Sequence, residues 1–176
     1  MKRPLRLSSV VVTLLLVGCS DMKLEDFAAG EPPLTVEEFF DGRTEAWGLF
    51  EDRFGRIRRQ FKVDVDGSFD GRELKLVENF VYADGEEDSR IWRITSLGDG
   101  RYEGRSDDVI GAASGEARGN AVHWEYDMNL VIGDSTWRVH FDDWMLLQSD
   151  EVMINRATVS KFGITLGQVT LFFRKI

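Results

Sequence analysis

The chain is poor in the residues that build reactive or cross-linked sites. It holds one cysteine, Cys19, and two histidines, His123 and His140, among 176 residues. One thiol cannot close an internal disulfide, and two histidines on the polar faces of separate strands do not make a multi-histidine metal site. No metal, no cofactor and no nucleophile-plus-base triad is therefore expected. Long helical periodicity is missing after Phe40, so crossover helices, and with them a parallel sheet, are not expected. The one Gly- and Ala-rich stretch, Gly104 to Gly119, is followed by no Gly-Lys-Ser/Thr and opens no helix. It reads as short, bent strands or bulges rather than a phosphate-cradling loop.

What is present begins with a secretory pattern. Lys2, Arg3 and Arg6 precede an apolar run, Val10 to Val17, too short for a permanent membrane span. The run ends on Leu16-Val17-Gly18-Cys19, which resembles the bacterial lipobox, in which the cysteine is acylated and becomes the first residue of the mature chain. The lone thiol is thus expected to be a membrane anchor, since each buried methylene of an acyl chain adds about 0.8 kcal/mol. By resemblance to lipoprotein sorting signals, Ser20 directs such a protein to the outer membrane of a Gram-negative bacterium, facing the periplasm. The expected organisation is a signal peptide over residues 1–18, a lipidated tether over 19–34 and a β-barrel domain over 35–176. Loss of residues 1–18 removes three of 22 basic residues and no acid, so 19 cations face 31 acids and the net charge moves from −9 to −12. That balance argues against nucleic acid and anionic headgroups as partners of the body.

Thr35-Val36-Glu37-Glu38 has the form of a capping box opening a short helix, which Asp41-Gly42 ends. From Arg43 on, turn signals recur at Asp70-Gly71, Asp84-Gly85, Asp99-Gly100, Gly119-Asn120, Gly133-Asp134, Ser149-Asp150 and Phe162-Gly163. The segments between them alternate. Val122, Trp124, Tyr126, Met128, Leu130 and Ile132 form one face, opposite His123, Glu125, Asp127 and Asn129. Eight to ten hairpin-linked strands expose costly edges unless the sheet closes on itself. The expected fold is all-β: an up-and-down antiparallel β-barrel, lipocalin-like, with a short N-terminal helix.

Few residues suggest chemistry. Asp66-Gly67-Ser68-Phe69-Asp70-Gly71 resembles the first half of a calcium loop, but its twelfth position is Val77, and a hairpin turn accounts for the same residues. Asp142 and Asp143 are neighbours in a strand and point to opposite faces, so they cannot act on one atom. Asp143 falls on the apolar face. If Ser149-Asp150 is a two-residue turn, Asp143 lies opposite Arg156, as a buried carboxylate requires. That pair is either a salt bridge fixing register or the polar point of an apolar cavity. Glu78, also on an apolar face, joins the same interior set, with Arg93 as a candidate partner.

Asp142-Asp143-Trp144-Met145, Asn155-Arg156-Ala157 and Lys161-Phe162-Gly163 resemble the pattern of an uncharacterised family of proteobacterial lipoproteins. Asp52-Arg53-Phe54-Gly55, Glu78-Asn79-Phe80, Arg90-Ile91-Trp92 and Asp108-Val109-Ile110-Gly111 are similar to it too. The resemblance spans nearly the whole mature domain and implies no assigned activity. Members often neighbour enzymes that modify membrane fatty acids, which implies a lipid role. The body is also similar to lipocalins, with Trp47 in the first strand and Arg174 in the last, although Gly42 stands five residues before Trp47 and the usual Gly-x-Trp is absent. The expected function is a lipid-anchored periplasmic binding protein for an acyl chain or lipid. Trp124, Tyr126, Met128, Phe141 and Met145 would line the cavity, and Arg156, Asp143 and Glu78 would mark its polar point. The alternatives are an enzyme acting on modified fatty acids, with Asp143 or Glu78 as acid or base, and an envelope scaffold with a solid core.

Overall fold

Alternation between apolar and polar residues runs from Gly42 to Lys175, and it forms ten antiparallel strands in the computed structural model, which describes residues 22–176. Cys19 and the expected signal segment lie outside the described residues. The strands are β1 Gly42–Asp52, β2 Ile57–Phe69, β3 Glu73–Tyr82, β4 Glu87–Gly98, β5 Arg101–Arg105, β6 Ala113–Arg118, β7 Ala121–Ile132, β8 Ser135–Ser149, β9 Val152–Lys161 and β10 Ile164–Lys175. Each pairs with its neighbours in sequence, and β1 pairs with β10, so the sheet is a closed up-and-down barrel with no free sheet edge at its seam. The fold is the expected all-β, lipocalin-like barrel, at the upper end of the expected strand number.

One end is plugged. Helix α1, Val36–Phe40, lays Val36, Phe39 and Phe40 into the barrel, with Phe40 edge-on to Phe173 at 5.6 Å. The plug fits because β2 has no side chain where the helix ends: a Cβ at Gly67 would lie 1.7 Å from the Phe40 carbonyl oxygen. Thr35 is the N-cap residue, as the sequence predicts, but its side chain makes no capping bond, so the capping box does not form. Above the plug, Val63, Val65, Leu74, Leu76, Ile94, Val122 and Met153 fill the lower half of the interior. Gly104 and Gly115, on the short β5 and β6, make room for Trp124; a Cβ at Gly115 would meet its ring at 2.6 Å.

The predicted tether over 19–34 is corrected from Lys23 onward. A 3-10 turn, Leu24–Phe27, docks on the outer wall near the plugged end, where Leu24 packs with Ala121 and Trp144, and Phe27 lies 5.7 Å from the Trp144 ring. Leu34 is buried with the plug. Burying these apolar side chains outweighs the freedom of a loose chain. Among the described residues, the closed barrel, its plug and a continuous hydrophobic core fall within 24–175, which is the makeup of a domain with a core of its own.

Candidate functional site

The lower interior is apolar; the polar groups begin halfway up. Asp143, on β8, is buried between Phe141 and Met145, which also face inward. Its Oδ1 accepts a hydrogen bond from Asn155 Nδ2 on β9, and its Oδ2 accepts one from the Tyr126 hydroxyl at 3.2 Å. Burial pushes the Asp143 carboxyl up to about 6, against these two bonds, which favour its charged form. Tyr126 stacks on Phe141 at 4.9 Å and meets Trp92 edge-on at 5.5 Å, and its hydroxyl is raised well above its ordinary range by burial and then by Asp143.

Glu78, on β3, stands directly opposite Arg90 on β4. It is enclosed by protein yet keeps solvent contact, and burial pushes it up to about 7. The Arg90 charge pulls the other way, while Asp108 and Asp143 add to the rise. Arg90 spans the interior: Nε and Nη2 reach Asp108 Oδ2 at 2.9 and 2.8 Å, and Nη2 lies 3.6 Å from the Met128 sulfur. A gap in the wall explains this reach. β5 pairs only with the Arg93–Gly98 half of β4, so residues 87–92 have no described strand partner on that side. The irregular segment 106–112 covers the opening and bonds to β7 at Val109, while Arg90 and Asp108 tie β4 to it. Three buried polar side-chain atoms, Thr44 Oγ1, Asp108 Oδ1 and Trp124 Nε1, have no hydrogen-bond partner among the described residues.

All five predicted lining residues, Trp124, Tyr126, Met128, Phe141 and Met145, face inward; Tyr126 and Met145 are half-buried and the other three buried. Arg156 is a correction. It is exposed on the outer wall, paired with Trp144, and Asn155 takes the inward place beside Asp143. The two-residue turn is Asp150-Glu151 and not Ser149-Asp150, which moves the pairing by two, and a bulge between Leu147 and Ser149 takes back one; the net shift of one reverses every side chain on the strand. Arg93 is a second correction: it bonds Glu73 at 2.6 Å on the outside, and Arg90 is the partner of Glu78. Asn155, Arg90, Asp108 and Trp92 were not singled out from the sequence as site residues. Alternation alone signals Arg90, because it shares a face with Trp92 and Ile94.

The remaining sequence candidates lie outside the interior. Asp142 accepts bonds from His123 at 3.0 Å and from Trp144 Nε1 at 2.8 Å on the outer wall. Asp70 receives the Arg72 and Glu73 amides at 2.8 Å, which is the hairpin role and not a calcium one. Trp47 is also outward-facing, with the Arg174 guanidinium 5.4 Å from its ring, so the lipocalin-like pair is present but does not close the interior. Two surface depressions, of about 210 Å³ around Ile57, Arg59 and Tyr82 at the mouth and about 400 Å³ around Glu37, Phe69 and Lys175 beside the plug, do not include the interior carboxylates.

The profile of DUF3833, described as a protein of unknown function, matches residues 13–175. The chain belongs to the DUF3833 family. That span includes the whole barrel and every interior residue described above. A comparison with curated proteins returns no match. Among solved structures, the S-type phycobiliprotein lyase CPES from Guillardia theta is similar in fold, with a TM-score of 0.57 at 8% identity, over 81% of this chain and 94% of that one. A de novo designed fluorescence-activating β-barrel is matched over 81% of this chain and 99% of its own at 11% identity, with a TM-score of 0.44. The likeness to the lyase is one of barrel fold.

Proposed function

We propose that this DUF3833 protein is a binding barrel for a small amphipathic molecule, an acyl chain or lipid, whose polar head meets Arg90, Glu78 and Asp143. The observation that carries the reading is that side chains facing inward above the plug keep solvent contact. Phe61, Phe80, Trp92 and Met145 are only half-buried although they point into the barrel, and so are Glu78 and Arg90. A barrel packed to its rim would leave less such contact around the polar cluster. The chemistry suits an acidic head on an apolar tail: Arg90 and a protonated Glu78 can both donate to a carboxylate or phosphate, and aromatic walls surround them. Trp124 Nε1 is a further buried donor, and Asp108 Oδ1 a buried acceptor, without a partner among the described residues.

Anchoring through acylated Cys19, in the outer membrane and facing the periplasm, belongs to the same proposal. It is supported by the charged start, the apolar run and the lipobox, and the docking of Leu24 at the plugged end leaves the mouth free. A second reading, acid–base catalysis on such a lipid, is favoured by Glu78, which at about 7 can donate or accept a proton near neutral pH. Turnover of a fatty acid that Glu78→Gln abolishes without loss of folding would select catalysis over carriage.

Trp92 and Trp124 face the interior, so tryptophan emission reports on occupancy. Titration of residues 22–176 with oleate is expected to give a saturable one-to-one change. Arg90→Gln, which keeps a donor but loses the charge, is expected to weaken binding by about tenfold, the difference expected for a hydrogen bond to a charged group. An unchanged spectrum in the folded protein would count against the binding barrel.

A further inference from the structure

The acidic chain does not carry its charge evenly, and the unplugged end is divided in two. Around the barrel the strands run β2, β1, β10, β9, β8, β7, so the β1–β2, β9–β10 and β7–β8 turns are consecutive on one side of the mouth. Their tips present Phe54, Ile57, Phe162, Ile164, Val131 and Ile132, all more than half exposed, with Phe162 at 93%. Cations are set among them: Arg53, Arg56 and Lys161, none in an ion pair among the described residues; the acids of the same turns are Glu51, Asp52, which Arg58 holds at 2.8 Å, and Asp134. Lys161 Nζ lies 4.1 Å above the Trp137 ring and 5.5 Å from Phe162, and Arg53 lies 4.8 Å from Phe54. The other side of the mouth carries Asp84, Glu86, Glu87 and Asp88 at the β3–β4 turn, and Asp107 in segment 106–112.

The tip of the β9–β10 turn is the least expected of these features. Lys161 pairs with Ile164, leaving a two-residue turn in which Phe162 has φ 53° and Gly163 has φ 75°. Such a turn favours Asn-Gly, because left-handed backbone is unfavourable for a bulky side chain. Phe162 is thus disfavoured by its backbone and by its exposure, and its ring, outside every buried cluster described, meets only the Lys161 ammonium at 5.5 Å. Folding alone would choose another residue.

We propose that this half of the mouth is a membrane-docking edge, in which the three hairpin tips enter the headgroup region of a phospholipid bilayer while Arg53, Arg56 and Lys161 meet its anionic groups. Apolar tips on three separate turns, interleaved with long cationic side chains, match an interface that is apolar below and negatively charged above. The cations let this edge approach a surface that repels the rest of the acidic chain. The edge lies at the opposite end of the barrel from the first described residues, which dock near the plugged end. It also stands apart from the interior site, since none of its side chains belongs to the polar cluster.

The test is flotation of residues 22–176 with vesicles of phosphatidylethanolamine and phosphatidylglycerol at 3:1. The protein is expected to float, and to float less as salt rises. A Phe54→Ser, Phe162→Asn double variant is expected to partition at least about tenfold less, because two large apolar side chains are lost from the interface. Phe162→Asn supplies the residue that the turn prefers, so the fold is expected to be held or strengthened, and a thermal melt checks it. Arg56→Gln with Lys161→Gln is expected to reduce the salt dependence, leaving the share of Arg53. A wild-type protein that stays in solution, or that floats equally with the Phe54 and Phe162 variant, would overturn the proposal. So would self-association through the same residues without vesicle binding.

Discussion

Replacing Arg90 by leucine is expected to destabilise the barrel by about 3 kcal/mol, the low end for breaking a buried ion pair. The loss is large because Arg90 serves three groups at once. It holds Asp108, it stands opposite Glu78, and it ties β4 to segment 106–112 where no strand pairing does so. With the guanidinium gone, two interior carboxylates keep only their partial solvent contact. In a chain of this size the melting temperature is expected to fall by roughly 6–12 °C. Adding Asp108→Asn is expected to recover part of the loss, since it removes one of the stranded charges. An unchanged melt would mean that the pair is a loose contact and that the wall needs no tie at this point.

The second large effect is on pH. Glu78 and Asp143 both have folded-state values raised above their ordinary ones, to about 7 and about 6, mainly by burial. The folded state therefore binds more protons than the unfolded state between about pH 4 and 7. Stability tied to these groups is fully present below their unfolded values and is lost as pH rises through 6 and 7. Each shift of about two units corresponds to about 3 kcal/mol, and the two are linked through their mutual repulsion, so they do not simply add. Asp52, Asp70 and Asp127 are shifted the other way, and they act only below pH 4. Denaturation midpoints measured from pH 4.5 to 8 are expected to fall for the wild type and to stay nearly flat for Glu78→Gln with Asp143→Asn. A wild-type midpoint that rises over this range would contradict the interior placement of the carboxyls.

The barrel was legible because its turns are written in residue types that favour left-handed backbone. Gly71, Gly85, Gly100, Gly119, Gly133 and Gly163 all have positive φ at turns expected from the sequence. The inward face of β7 was equally plain from its alternation. The partners were not. Pairing Asp143 with Arg156 required the β8–β9 register, and the bulge that resets it carries no glycine or proline to announce it. The β3–β4 hairpin has the same character: Asp84-Gly85 locates the turn, but only the pairing of Tyr82 with Glu86 fixes Glu78 opposite Arg90. Asp108 reaches the interior from an irregular segment with no period at all. Local chemistry specifies where strands end, while a one-residue choice in each turn decides which side chains meet.

The most direct measurement is native mass spectrometry of the protein purified gently from bacterial envelopes, followed by solvent extraction of whatever it carries. A binding barrel is expected to hold one acyl-bearing molecule with an acidic head, and to lose it or be sharply depleted of it in Arg90→Gln under conditions where that variant remains folded. A folded, ligand-free wild type that also ignores added oleate would contradict the binding barrel. Glu78, Arg90 and Asp143 would then be a buried ionic network that holds the wall together.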